Sequence, residues 1–360
     1  MRVCIAAGGT GGHLLPGVAV GKELRARGHE VHFVVRKDRS SQERLAREGF
    51  PSSAFAYAGF PRALSLRALI YPGLSLAAYL NARRILRRED PDVVLGMGGY
   101  ISVPVGLAAR RADIPLVLHE QNSYAGLANR WLARWASAVA TTFPETAGLP
   151  PQARRRWTGL PLRPEIMPRD RRACRAGLGL SPDLFTVLIF GGSQGARALN
   201  RLAASSLAPL SEFRDRCQFI HVAGEADADV MEQVYADAGW NHFVRPYWED
   251  IATLYAAADF VVSRSGANTV MELAYLGKKA LLVPFPFATN DHQRLNAAFL
   301  AKSGRAEVVL EKDLSPGRFR EILKQAFVSP LEAEAAPPKD FPRATASLAD
   351  LLEDVRFGKT

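Results

Sequence analysis

The chain has 360 residues, 48% hydrophobic and 23% charged, with 29 glycines and 23 prolines; that is the composition of an ordinary folded protein, not a disordered or fibrous one, and the length favours two cores over one. Lys and Arg total 46 against 36 Asp and Glu, a formal charge of +10, so partners are expected among anions: nucleic acid, anionic lipid or phosphorylated substrates. Three scattered cysteines, Cys4, Cys174 and Cys217, argue against a disulfide framework or a cysteine metal site and fit a reducing compartment such as the cytoplasm, while no signal peptide can be placed at the start and no apolar run reaches the roughly 18 residues of a membrane span.

Val3 to Ala7 reads as a short buried strand, and the pattern from Pro16 to Arg27 as a helix ended by Gly28. A strand at "HEVHFVV" follows, then two more in "PDVVLGMGGY" and "IPLVLHEQN", separated by a helix around Val103 to Arg110. Strands alternating with helices predict a parallel, doubly wound sheet. After the Pro-punctuated stretch "GLPLRPEIMP", residues 159 to 168, the pattern restarts with "FTVLIFGGSQGARALN" and continues through strands in "QFIHVAG", "DFVVSRSG" and "KALLVPFP". A boundary is therefore expected near residues 159 to 165, giving domains at 1–160 and 161–340. The remainder, 341–360, is expected to be a closing helix and tail, with Leu348, Leu351, Leu352 and Val355 on one face.

Three strands end in glycine-rich turns, "GGTGG" (8 to 12), "GMGGY" (96 to 100) and "GGSQG" (191 to 195), and "SRSGANT" (263 to 269) ends a fourth. Such turns let backbone amides at a helix N-terminus face a phosphate. "GGTGGH" is neither G-x-G-x-x-G, since Leu14 stands at the third glycine, nor a P-loop, which needs a Lys; nicotinamide and ATP readings weaken together. His13 leaves the first turn, where a neutral imidazole can take a proton from a hydroxyl nucleophile. A hydrogen-bonded structural histidine is the plainer alternative.

Taken together, "GGTGGH", "GMGGY", "HEQN" (119 to 122), "GGSQGAR" (191 to 197) and "SRSGANTVMELAYLGKKALLVPFP" with "DHQ" after it occur in an order and spacing that resembles the MurG family of peptidoglycan N-acetylglucosaminyltransferases, glycosyltransferase family 28. The resemblance runs from about residue 3 to about residue 310. It implies the GT-B fold, an α/β architecture of two Rossmann-like doubly wound domains facing across a cleft. It also implies an inverting transfer of N-acetylglucosamine from UDP-GlcNAc to the C4 hydroxyl of undecaprenyl-pyrophosphoryl-N-acetylmuramoyl-pentapeptide, lipid I, to give lipid II. Such a displacement needs a base for the acceptor hydroxyl and positive groups for the departing UDP.

Carried over by motif position, the donor-binding residues are Arg163, Ser193, Gln194, Trp248, Ala267, Asn268, Thr269, Val270, Met271, Glu272 and Gln293. Ser193 is implied at the diphosphate, the amides of Ala267 to Thr269 at a helix N-terminus, Glu272 at the ribose, Gln293 at the sugar and Trp248 near the uracil. Asn268 stands where the family has a hydrophobic residue, and Ser123 where it commonly has Gly or Thr. Thr269-x-x-Glu272 also reads as a capping box, in which the carboxylate serves only the helix. On the acceptor side the resemblance implies Thr10, Gly11, Gly12, Tyr100 and Asn122, with His13 as the leading general base and Glu120 its rival.

No cofactor and no metal are expected: Asp227 and Asp229 could chelate a divalent ion, but an acidic first turn favoured by the helix dipole accounts for them. Residues 59 to 88, "GFPRALSLRALIYPGLSLAAYLNARRILRR", are apolar and basic without an acid, which suits an anionic headgroup layer. Membrane contact is assigned to Phe60 to Tyr71, placing the protein peripherally on the cytoplasmic face of the plasma membrane. The second half, Leu74 to Arg88, reads equally as a core helix with a solvated Arg face. Nucleic acid is not expected as a partner, because the arginines are scattered without a reading motif or stacking platform. A UDP-GlcNAc 2-epimerase would leave "GGTGGH" and the apolar-basic segment unexplained, and a non-enzymatic nucleotide-sugar-binding protein would leave His13 and "HEQN" idle.

Overall fold

In the computed structural model the described residues are 1–8, 11–57, 59, 66–191, 196–328 and 343–358, with the side chains of 66–70 set aside. The chain forms two compact units, Met1–Arg163 with Pro342–Thr360, and Pro164–Phe341.

The first unit is built on strands β1 (Arg2–Ala7), β2 (Glu30–Arg36), β3 (Ser52–Phe55), β4 (Val93–Gly96), β5 (Leu116–Glu120), β6 (Ala138–Thr141) and β7 (Arg155–Trp157). They pair in the order β3-β2-β1-β4-β5-β6-β7, every pair parallel. Helices α1 (Gly11–Ala26), α2 (Arg39–Arg47), α3 (Leu66–Glu89), α4 (Ser102–Arg111) and α5 (Leu127–Leu132) connect them. A parallel sheet covered on both faces demands unbroken apolar strands, and every residue of β4 and β5 is buried. The order reverses between β1 and β4, so the crevice that binds ligands in such sheets lies at their carboxyl ends.

The second unit repeats the design with β8 (Phe185–Phe190), β9 (Cys217–Val222), β10 (His242–Arg245), β11 (Phe260–Ser263), β12 (Lys279–Leu282) and β13 (Ala306–Val308), paired in parallel as β10-β9-β8-β11-β12-β13. Its helices are α6 (Arg171–Gly177), α7 (Arg197–Leu207), α8 (Ala228–Asp237), α9 (Ile251–Ala257), α10 (Ala267–Tyr275), α11 (His292–Ala301) and α12 (Pro316–Val328). The reversal falls between β8 and β11. At the opposite, amino end of that pair, Arg175 and Asp259 form an ion pair with both side chains almost fully buried, and Asp259 also accepts the Thr186 amide at 2.7 Å. Arg171 also reaches Asp259, at 2.8 Å, so the buried carboxylate is held by two arginines, and buried charges need such partners.

The final helix, α13 (Ala344–Arg356), returns to the first unit. Leu348, Leu351 and Leu352 are buried in the cluster that holds Val3 and Ile5 of β1 with Val93 and Leu95 of β4. Around that apolar contact Arg27 bonds Asp350 at 2.6 Å, His29 bonds Glu353 at 2.8 Å and Arg156 bonds Asp354 at 2.7 Å.

Two local expectations change. Helix α1 begins at Gly11, five residues before Pro16, so Gly11, Gly12 and His13 form its first turn and Pro16 is internal. In α3 the sheet-facing row is Ala78, Ala82, Ile85 and Leu86, while Leu74, Leu76 and Leu80 are exposed. Its second half therefore presents leucines outward as well as arginines.

Candidate active site

At the β1/β4 reversal the first-unit site is assembled by close backbone approach. Gly98 and Gly99 follow β4 with φ of 90° and 74°, a left-handed region in which a side chain is strained. A Cβ on Gly98 would lie 3.3 Å from His13 Cε1, and one on Gly99 3.4 Å from His13 Cδ2; the imidazole thus lies over a glycine shelf. Tyr100 follows directly, 52% exposed. Gly59 passes its ring so closely that a Cβ would stand 2.3 Å from it.

His13 is half-buried, and its Nδ1 lies 3.0 Å from the Met97 carbonyl. A carbonyl can only accept, so Nδ1 carries the proton and Nε2 of the neutral ring keeps its lone pair. Burial pushes the His13 pKa below 6.5, against the pull of the Met97 carbonyl and of Gln121, so the ring is neutral at neutral pH. Beside it His119 is buried, donates through Nε2 to the Gly159 carbonyl at 3.0 Å, and is held down to about 4, chiefly by desolvation.

Glu120 has a different setting. Its Oε1 accepts the Asn122 amide at 2.9 Å, and its Oε2 accepts the Gly126 amide and Asn129 Nδ2, each at 2.9 Å. Burial pushes the carboxyl up, while these donors pull the other way. Both oxygens are committed to tying the turn after β5 to the start of α5. Asn122, half-buried beside it, also pulls the Glu120 carboxyl down through its side chain. Thr10 lies outside the described residues. Arg163, half-buried, is the last residue of the first unit's leading segment.

In the second unit Ser193 and Gln194 lie outside the described residues. Across the same reversal, β11 leads through Arg264, Ser265 and Gly266 into α10. Gly266 is the N-cap, with φ −62° and ψ 152° and no side-chain cap. The capping-box expectation therefore fails: Thr269 is the third residue of the helix and cannot cap it. The first amides of α10, from Ala267 onward, are left without intrahelical partners, and Asn268 and Thr269 are half-buried beside them. Val270 and Met271 face the core. Glu272, 7% exposed, accepts the Tyr255 hydroxyl at 2.9 Å. Gln293 Oε1 accepts the amides of Ser265 at 3.3 Å and Phe285 at 2.9 Å, stitching the loop after β11 to the loop after β12. Trp248 is half-buried, edge-on to Phe243 at 5.1 Å, with its buried Nε1 unpaired among the described residues.

The site also uses groups that the sequence did not single out. Met97 acts through its carbonyl, which no residue type advertises. Tyr255 meets Glu272 from 17 positions away, on a different helix. Asp227 and Asp229 sit at the N-cap and in the first turn of α8; among the described residues no cluster of three His, Cys, Asp or Glu could hold a metal ion, and no helix is long and apolar enough to cross a membrane.

Comparison with known proteins agrees with this geometry. The glycosyltransferase family 28 N-terminal domain matches residues 3–141 and the family 28 C-terminal domain residues 186–354. The chain is 41% identical over 365 aligned positions to a UDP-N-acetylglucosamine–N-acetylmuramyl-(pentapeptide) pyrophosphoryl-undecaprenol N-acetylglucosamine transferase of Halorhodospira halophila, covering 99% of each. Among solved structures it resembles MurG of Acinetobacter baumannii, with a TM-score of 0.76, 31% identity and coverage of 98% of this chain and 99% of that one. A UDP-GlcNAc 2-epimerase from Neisseria meningitidis superposes with a TM-score of 0.69 at 14% identity, covering all of both chains, which is a likeness of fold alone. Two parallel Rossmann-like units, the family 28 matches and near-full-length identity lead to one assignment: the chain belongs to glycosyltransferase family 28, among the GT-B N-acetylglucosaminyltransferases of the MurG family.

Proposed function

We propose that this chain is an inverting hexosyltransferase that moves N-acetylglucosamine from UDP-GlcNAc to the C4 hydroxyl of lipid I, forming lipid II for peptidoglycan synthesis. The observation that carries the chemistry is the His13 hydrogen bond: with Nδ1–H spent on Met97, Nε2 is the lone pair available at the β1/β4 reversal. Glu120, both of whose oxygens already accept hydrogen bonds, acts as the brace of its turn.

In this reading Thr10, Gly11, Gly12, Tyr100 and Asn122 hold the acceptor. Ser193, Gln194 and the open amides at Ala267, Asn268 and Thr269 hold the donor diphosphate, with Val270 and Met271 seating the helix. Glu272 takes the ribose, Gln293 the sugar, and Arg163 and Trp248 the nucleotide. Helix N-termini and Arg stabilise the departing UDP without a metal.

Lipid I lies in a bilayer, so the enzyme works peripherally at the anionic cytoplasmic surface. Residues 60–65 of the segment assigned to the membrane lie outside the described residues; α3 offers Leu76 and Leu80, 58% and 49% exposed. One to two turns further on are the exposed Arg83, Arg84 and Arg87. Leucines with arginines on one helix face are the composition an anionic headgroup layer retains.

The test is UDP release measured with and without a soluble lipid I analogue. Release that requires the acceptor, with the disaccharide as product, supports transfer; UDP-GlcNAc consumed without acceptor points to the epimerase class, and binding without turnover to a sensor.

A further inference from the structure

Tyr255 is fully buried, yet it ends in a hydroxyl. Its ring stands on α9 with no exposed surface, edge-on to Phe190 at 5.9 Å and 71°, and its Oη donates to Glu272 Oε2 at 2.9 Å. Helix α9 is itself fastened at its start, where Asp250 accepts the Thr253 amide as N-cap and pairs with Arg169 at 2.7 Å. Phe190 is the last residue of β8, directly ahead of the "GGSQG" turn. One ring therefore joins the root of the turn read as holding the donor diphosphate to the carboxylate read as holding the ribose.

The fold alone does not call for this pair. A buried hydroxyl and a buried carboxyl both cost desolvation, and apolar side chains of the same shape would fill the space with equal or greater stability. What the pair adds is direction. A Glu side chain gives up considerable rotamer freedom when it is fixed, whereas the Tyr255 ring is already held by the core around it. A hydroxyl on a fixed ring, donating to one carboxylate oxygen, sets the plane of the whole carboxylate. A carboxylate has about four lone-pair sites on its two oxygens, so it can accept from a ligand while Tyr255 holds it. Side chains on a helix lean toward its N-terminus, and for Glu272 that is the end of α10 that opens behind Gly266.

We propose that Tyr255 is a positioning residue for the donor: acting through Glu272, it aims the carboxylate at the ribose hydroxyls and so sets a preference for a ribonucleotide over a deoxynucleotide diphosphate. The proposal rests on the reading of Glu272 as the ribose acceptor. The Tyr255 hydroxyl keeps its proton throughout, and its contribution falls on donor binding.

The experiment is calorimetric binding of UDP and of 2′,3′-dideoxyuridine diphosphate to the intact protein, beside KM and kcat for UDP-GlcNAc with a soluble lipid I analogue. Tyr255→Phe keeps the ring against Phe190 and removes only the hydroxyl. It should weaken UDP by about fivefold, leave the dideoxy probe as it was, and raise KM for UDP-GlcNAc rather than lower kcat. Both probes bind the same folded molecules, so the ratio of the two affinities stays informative even where a variant is less stable. In Glu272→Ala the preference for UDP should disappear, and adding Tyr255→Phe should change the ratio no further. A ratio unchanged in Tyr255→Phe but lowered in Glu272→Ala overturns the proposal and keeps Glu272 at the ribose, whether or not Tyr255→Phe weakens both probes alike. A ratio that Glu272→Ala leaves at its wild-type value takes Glu272 away from the ribose, and the proposal falls with that reading.

Discussion

The two units share a strand order and place different groups at the same address. At the first reversal a helix opens with His13 packed on Gly98 and Gly99; at the second, α10 opens with bare amides behind Gly266 and has Glu272 one turn in. One arrangement suits proton transfer and the other suits capture of an anion. A fold supplies the position of a site and the side chains at the turn supply its chemistry.

The largest effect that tests this division is on turnover. His13→Ala should lower kcat by about 10²- to 10⁴-fold while calorimetric binding of UDP-GlcNAc is unchanged; a loss of donor affinity instead would dissolve the separation of roles. A second variant asks whether the units are independent in stability. Arg175→Met leaves Asp259 buried with Arg171, at 2.8 Å, as its remaining arginine, and should cost less than the roughly 3–5 kcal/mol of a buried charge left with no partner. Hydrogen exchange should show that loss in the second unit, with protection of β1 and β4 intact.

Acid should weaken both units through buried neutral histidines, His119 in the first and His221 in the second among them. Burial holds His119 to about 4 and His221 to about 3, below the ordinary 6.5. The unfolded chain therefore binds more protons as pH falls below 6.5. Stability is full above that value and is lost on the way down to about 4 in the first unit and about 3 in the second. Urea midpoints that rise on moving from neutral pH to about pH 5 would contradict this sign.

Smaller effects sharpen the capture side. Glu272→Gln keeps an acceptor for the Tyr255 hydroxyl and should raise KM for UDP-GlcNAc by about tenfold, the worth of one charged hydrogen bond, with kcat nearly unchanged. Replacing Leu76 and Leu80 by Glu should reduce sedimentation with anionic vesicles and leave kinetics on a soluble acceptor as they were. Equal vesicle binding would remove α3 from the membrane surface.

Much of this was legible in the sequence because it is local. A buried strand followed by glycines and an amphipathic stretch specifies its own unit, and two such series specify two sheets. His13 stands out by its place at the exit of a glycine turn, whereas Glu272 is singled out only through the family resemblance. What was not legible depends on contacts distant in sequence. The start of α1 was placed at Pro16 because proline favours a first helical turn, whereas the helix carries Pro16 inside it and begins at Gly11. Thr269 and Glu272 have capping-box spacing, but the entry of the chain from β11 makes Gly266 the cap. Glu120 is spent on the turn after β5, through bonds to the Gly126 amide and Asn129, which only the folded chain shows.

Helix α13 imposes an order of assembly. Its leucines join the core cluster that holds β1 and β4, so the first unit is completed by residues that follow the second. As the polypeptide leaves the ribosome, the middle unit has its whole sequence in hand first, while the leading sheet waits with one face only partly covered, by α1. Domains ordinarily mature from the amino end during synthesis; here a helix that follows the second unit in sequence closes the first, and a chain that stops short of Leu348 forfeits the unit that carries His13.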